Sequence, residues 1–238
     1  MVAAPPAVVV LLVAGLLAGV VAGAVAALVV GGAVGALFSS RVWRGAEATV
    51  LGAVGAAPAD EVTHARLFNL VEGLSLAAGV ARPRLLVVRV PAANALSVGR
   101  DSRHSAVVAT TGLLDRLNRI ELEGVLAHEL CHLRSGDVVP ATMAAAAAHA
   151  TWPGRLLAGR LVRRALDPRR ELLADLAAAG LTRYPPGLTA ALEKLAETGT
   201  EVPHAPAAVA HLWFAAPSPG DDGLHPRLEA RVEALREL

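Results

Sequence analysis

The stretch Gly124-Val-Leu-Ala-His-Glu-Leu-Cys-His-Leu-Arg-Ser-Gly-Asp137 carries two histidines four residues apart, with a glutamate directly after the first. It reads as the second half of a helix. Asn118 is a good N-cap, and Glu121 three residues on completes a capping-box exchange. Leu122, Val125, Leu126, Leu130 and Leu133 supply a buried face, and Gly136 suits the C′ position. On a helix, residues i and i+4 share a face, so the imidazoles of His128 and His132 can reach one metal ion. Glu129 lies about 100° round from His128, close enough to work on a water there without being a ligand. With 8 His and 13 Glu in 238 residues, chance predicts about 0.014 such triplets. A surface helix that happens to hold two histidines is therefore a poor account of the pattern.

Two histidines leave a tetrahedral site incomplete, so a third ligand is sought on another helix. Downstream, "RRELLADLAAAG" offers Glu171 and Asp175, four apart and hence on one face. Glu171 would bind the metal and Asp175 would accept the N–H of a ligand histidine. A Glu-x-x-x-Asp pair alone is common on solvated helices. Its weight here comes from its company.

The first forty residues pose a separate problem. Met1 to Ser40 contains no Asp, Glu, Lys, Arg or His, and Ala7 to Phe38 is apolar or glycine throughout. At ~1.5 Å per residue, a helix of that length exceeds the ~30 Å hydrocarbon core of a bilayer. A signal peptide would carry a basic start and a shorter apolar stretch, and this segment has neither. It reads as a membrane anchor, either one long tilted span or two short spans hinged near Gly31-Gly32. Arg41 and Arg44 follow at once, which puts residue 41 onward in the cytoplasm. Gly15, Gly19, Gly23, Ala27, Gly31 and Gly35 recur every fourth residue, a stripe on which a second copy or another helix can pack. The alanine-rich run 138–152 is too short to span alone and reads as a buried or membrane-grazing helix.

Composition narrows the rest. Net charge is +1 and mean hydropathy is +0.50, and no basic run interleaved with aromatics points to nucleic acid. Cys131 is the single cysteine, so no intrachain disulfide forms, which fits a reducing compartment; it reads as a small packed residue and not as a ligand. Residues 1–40 are the anchor, 41–60 a linker ending in the Gly/Ala/Pro-rich "GAVGAAPADE", and 61–238 the globular domain. In that domain Val62, Leu67, Leu70, Val71 and Leu74 mark a helix ended by Gly79. "RPRLLVVRV", "NALSVGR" and "SAVVATTGLL" are strands, the last two joined by the polar turn "RDSRH".

"LAHELCH" followed by "RRELLADLAA" resembles the HtpX-like membrane zinc metallopeptidases, relatives of the type-1 CAAX prenyl proteases and gluzincins by their HExxH…ExxxD pattern. The likeness extends over "NALSVGR", "VVATTGLLDRL" and "LHPRLEARVEAL", roughly residues 60 to 238. It implies an α+β, mainly helical chain: an N-terminal transmembrane anchor and a zincin-like metallopeptidase domain with a small sheet against the active-site helix. It implies one Zn2+ per chain on His128, His132 and Glu171, Glu129 as general base and Asp175 in support. It also implies polypeptide substrates, membrane or misfolded proteins among them. Family members often place transmembrane helices between the two metal motifs, whereas only residues 133–170 intervene here. Two further expectations come from the resemblance. Asn94, Ala95 and Leu96 would form an edge strand along the cleft, open to an extended peptide, or else an ordinary edge. His225, or Arg227 beside it, would approach the oxyanion, unless His225 is simply a histidine at the start of a helix. The competing class is a catalytically silent membrane adaptor or scaffold that keeps the fold. An intact Glu129 argues against it, because an adaptor has no use for a base.

Overall fold

The structure is a computed structural model that describes residues 6–150, 166–167, 169–218 and 225–238. The chain divides into two compact units, Met1–Val42 and Trp43–Leu238. The first is the apolar part of helix α1, which runs unbroken over Pro6–Ala53. Gly31 and Gly32 stay helical within it, so there is no hinge there. From Ala14 onward α1 is long and apolar enough to cross a membrane. Side chains from Ala14 to Ser39 are exposed, as a lipid-facing surface requires.

Residues 41–60 are not the linker expected. The helix continues to Ala53, and Ala46, Glu47, Val50 and Leu51 form a buried stripe at helical spacing. Gly45 and Gly52 look like breaks in sequence, yet both are accommodated inside the helix. The turn comes at Gly55 (φ 66°), and Ala57–Pro58 (β1) pairs with the next strand.

The second unit is built on a four-stranded sheet. It comprises β1, β2 (Arg84–Val88), β3 (Ala95–Asp101) and β4 (His104–Thr110), in the order β1-β2-β4-β3. β2 runs parallel to β4, while β3 is antiparallel to β4 with Leu96 opposite Val108. Both faces are covered, which is why these strands read as continuous apolar runs instead of alternating ones. Val107, Ala109 and Ala95 face a core of helices α2 (Ala65–Ala78), α4 (Arg119–Ser135), α6 (Arg170–Thr182), α7 (Pro185–Thr198) and α8 (Leu228–Arg236). Leu96, Val98 and Val108 face the end of α1, α5 (Val138–Ala150) and a 3₁₀ helix at Ala207–Leu212. A short helix, α3 (Thr111–Arg116), links β4 to α4. Residues 138–150 of that run form the largely buried helix α5; Thr151 and Trp152 lie outside the described residues.

Local chemistry explains the ends. α2 carries Leu67, Leu70, Val71 and Leu74 inward and stops at Gly79 in the left-handed region (φ 69°). Val62 precedes the helix and is 88% exposed, so it is not part of that face. α4 has the full capping box. Asn118 accepts from the Ile120 and Glu121 amides, and Glu121 Oε2 accepts from the Asn118 amide at 2.8 Å. Lys194 on α7 then pairs with Glu121 at 2.6 Å, pinning the start of the motif helix. Gly124 lets α4 approach α7 closely, since a Cβ there would lie 2.8 Å from Leu188 Cα. Replacing Asn118 by alanine is expected to destabilise the folded unit by about 1 kcal/mol, read as a lowered thermal midpoint.

Candidate active site

α4 and α6 lie side by side and present their polar residues to one point. His128 and His132, one turn apart on α4, are buried, and their Nε2 atoms are 3.0 Å from each other. Glu171, at the start of α6, places Oε2 3.4 Å from His128 Nε2 and Oε1 3.6 Å from His132 Nε2. One ligand atom from each of the three fits within a 4.8 Å cluster.

The tautomers make the point sharper. His128 Nδ1–H donates to Asp175 Oδ1 at 2.8 Å, and His132 Nδ1–H donates to Asp137 Oδ1 at 2.9 Å. Each ring therefore turns a bare Nε2 lone pair toward the other. Two ring nitrogens and a carboxylate converging at this range suit a positive charge among them, a proton on His132 or a metal ion. Burial works against charge on His132, yet Glu171 and Asp137 raise its pKa to about 9. Burial also opposes ionisation of Glu171, but His132, His128 and Arg170 hold its carboxyl well below the usual carboxylate range. A nitrogen, nitrogen and oxygen donor set with each histidine backed by a carboxylate suits a tetrahedral divalent ion.

Glu129 stands beside this cluster without joining it. It is 1% exposed and neither carboxyl oxygen has a hydrogen-bond partner. Burial pushes its pKa up, against the pull of His128, His132 and the Ser97 hydroxyl on β3. A buried carboxyl with raised proton affinity and free lone pairs is what a general base needs.

The family model for peptidase family M48 matches residues 61–238. The chain belongs to peptidase family M48. It is 34% identical to a protease HtpX homolog of Caldanaerobacter subterraneus subsp. tengcongensis, over 79% of this chain and 77% of that one. A protease HtpX homolog of Dictyoglomus turgidum is 36% identical over 72% and 69%, and one of Tropheryma whipplei 33% over 73% and 72%.

In this M48 chain the five residues expected around the metal, His128, Glu129, His132, Glu171 and Asp175, are brought together. Two residues escaped the sequence reading. Arg231 on α8 is buried and grips Asp175 with two bonds of 2.7 Å, while its Nη1 donates to the Phe214 carbonyl at 2.5 Å. Burial opposes an ionised Asp175, but Arg231 and His128 keep its pKa below the ordinary value. The sign was available: Leu228, Arg231, Val232 and Leu235 share one helical face, and an arginine on such a face implies a buried carboxylate partner. Asp137 is the other, one residue past the C-cap glycine of α4.

Two expectations fail in the M48 domain, an approach of Arg227 to the site and an open edge at Asn94–Leu96. Arg227 is a surface residue paired with Glu229 at 3.5 Å, so it does not approach the site. His225 donates from Nε2 to the Ala210 carbonyl at 3.0 Å, which ties it to the 3₁₀ helix. Nor do Asn94, Ala95 and Leu96 offer an open edge. All three are fully buried, Leu96 bridges antiparallel to Trp213, and the Phe214 amide donates to the Ala95 carbonyl at 2.7 Å. The Asn94 side chain completes the closure with bonds to the Thr200 and Ala215 carbonyls. The chain itself has taken the edge that a peptide was expected to use.

Proposed function

We propose that this peptidase is a zinc-dependent endopeptidase, anchored in a membrane by α1 and facing the cytoplasm. The observation that carries this reading is the pair of carboxylate-backed imidazoles with facing Nε2 atoms at 3.0 Å, flanked by Glu171 and the unpartnered Glu129 carboxyl. His128, His132 and Glu171 would hold the ion. Zinc bound by such a set acidifies water and polarises a carbonyl oxygen. Glu129 takes the proton from the attacking water and delivers it to the leaving amine, so no serine or cysteine nucleophile is needed. Asp175 and Asp137 hold the two imidazoles in the tautomer that leaves Nε2 bare. Polypeptides, including membrane or misfolded proteins, are the substrates this reading implies.

Purified full-length protein is expected to carry one zinc per chain and to digest an unfolded model protein. The His128→Ala, His132→Ala variant should lose both. Equal zinc in the two preparations would overturn the metal centre. The cytoplasmic orientation rests on Arg41 and Arg44 after a span with no basic residue before it. A reporter fused after Leu238 should therefore be active inside the cell; activity confined to the outside would reverse the orientation.

A further inference from the structure

Two arginines open α6, and they do different things. Arg169 is exposed and pairs with Asp167 at 3.4 Å. Arg170 turns inward and is 8% exposed. Its Nε stands 3.3 Å from Glu171 Oε1 and 3.7 Å from Asp137 Oδ2, and its Nη1 donates to the His211 carbonyl at 3.4 Å. Nε makes no hydrogen bond among the described residues, so it meets both carboxylates as an ionic contact. A guanidinium at this place is unfavourable on two counts. It is buried, and it sits in the first turn of a helix, where the dipole favours negative charge. The two carboxylates offset both.

We infer that Arg170 is a positioning residue of the metal centre, holding Glu171 and the Asp137 carboxylate behind His132 in the arrangement that receives the ion. This rests on the reading of His128, His132 and Glu171 as its ligands. The two carboxylates need such a clamp for different reasons. Glu171 has two oxygens at similar range from the imidazoles, Oε2 at 3.4 Å from His128 Nε2 and Oε1 at 3.6 Å from His132 Nε2. Arg170 engages Oε1, while Oε2 is buried with no hydrogen-bond partner among the described residues, which leaves it for the ion. Asp137 lies just past the Gly136 stop of α4, and its side chain is 28% exposed, whereas that of Asp175 is fully buried. A carboxylate open to water turns outward easily, and a cation beside Oδ2 holds it against the His132 ring. The centre is thus braced on both imidazoles, by Arg231 through Asp175 on His128 and by Arg170 through Asp137 on His132. Arg170 also ties the end of α4 to the start of α6, the two elements that supply the ligands.

The test reads metal rather than cleavage, on the full-length chain in detergent micelles. Chelator competition should show Arg170→Met binding zinc about tenfold more weakly than wild type, the low end for such supporting groups because its contacts are longer than those of Arg231. Cobalt(II) in place of zinc should give visible absorption bands that move or weaken in Arg170→Met, since those bands report ligand geometry. Arg169→Met, at the same helix start but on the surface, should match wild type in both measurements. Arg170→Lys should lose roughly threefold, because an ammonium keeps the charge but not the fork that spans two carboxylates. In an Asp137→Asn background, where one of its two partners is gone, Arg170→Met should cost only about threefold. A full tenfold loss there would reject the link through Asp137. Wild-type affinity and spectrum in Arg170→Met, with only a lower thermal midpoint, would make Arg170 a structural ion pair and overturn the inference. An equal loss in Arg169→Met would assign the effect to charge at the helix start and overturn it too. If Arg170→Met does not fold, Arg170→Lys decides, and wild-type affinity in that variant overturns the inference. A wild type that takes up neither zinc nor cobalt overturns the metal centre, and this inference with it.

Discussion

Glu129→Gln should hold zinc as wild type does and cleave an unfolded protein at least ~10²-fold more slowly, a rise of about 2.7 kcal/mol in the barrier. Glutamine keeps the size of the side chain, and its amide still bonds a water, but it cannot accept a proton. None of His128, His132 or Glu171 is altered, so metal content and thermal midpoint should stay close to wild type. The environment of Glu129 strengthens the expectation. Its carboxyl is buried and burial raises its proton affinity, which suits a group that must accept a proton. Elemental analysis and turnover measured side by side decide the matter. Equal turnover would mean that Glu129 is not the base. Full zinc with no cleavage by either protein would favour a silent adaptor. Glu171→Ala should instead lose metal and activity together, because a ligand has gone.

Arg231→Met should have the largest effect on stability, about 3–5 kcal/mol, because it leaves the Asp175 carboxylate buried without its cation. It should also weaken zinc binding by roughly 10–100-fold, through the loss of a fixed acceptor for His128. The pH dependence follows from the lowered pKa of Asp175. In wild type its stabilisation is present above the ordinary carboxylate range and is lost as pH falls through the folded value. The gap between wild type and Arg231→Met should therefore be full near neutral pH and shrink toward pH ~4, where the unfolded carboxyl takes its proton. Adding Asp175→Asn should recover part of the stability, since the stranded charge is gone, but not the zinc affinity. Denaturant melts and chelator competition separate the two effects. Additive losses in the double variant would mean that Arg231 and Asp175 do not act as a pair.

How far the molecule can be read from its sequence depends on how local each feature is. The motif helix, its Asn118 cap and its Gly136 stop were all legible, since each is decided within a few residues. The three longer strands were legible as β-branched or apolar runs, and Glu171 with Asp175 as one helix face. The closed edge at Asn94–Leu96 was not, because its partner Trp213 lies over a hundred residues away and "HLWFAAP" has no strand periodicity. Arg231 was hidden for the same reason: its meaning depends on a carboxylate on another helix. Asp137 is different. It sits five residues from His132, just past the glycine stop, where the left-handed turn brings its side chain back to orient the ligand. The extension of α1 to Ala53 is not legible because the Gly/Ala-rich stretch has no clear period of its own, and packing against the sheet is what holds it helical.

The grip of Arg231 on Asp175 also sets a clock. Arg231 lies 103 positions after His128, and chains are made at ~5–20 residues per second from the N-terminal side. For roughly 5–20 s of synthesis, then, the histidine helix exists while the cation that holds Asp175 beside His128 does not. During that interval α1 is already made, and the unfinished peptidase has neither a braced ligand nor the Trp213–Phe214 segment bonded to β3. An unfinished chain of this peptidase therefore has its histidine helix before it has the brace that orients His128.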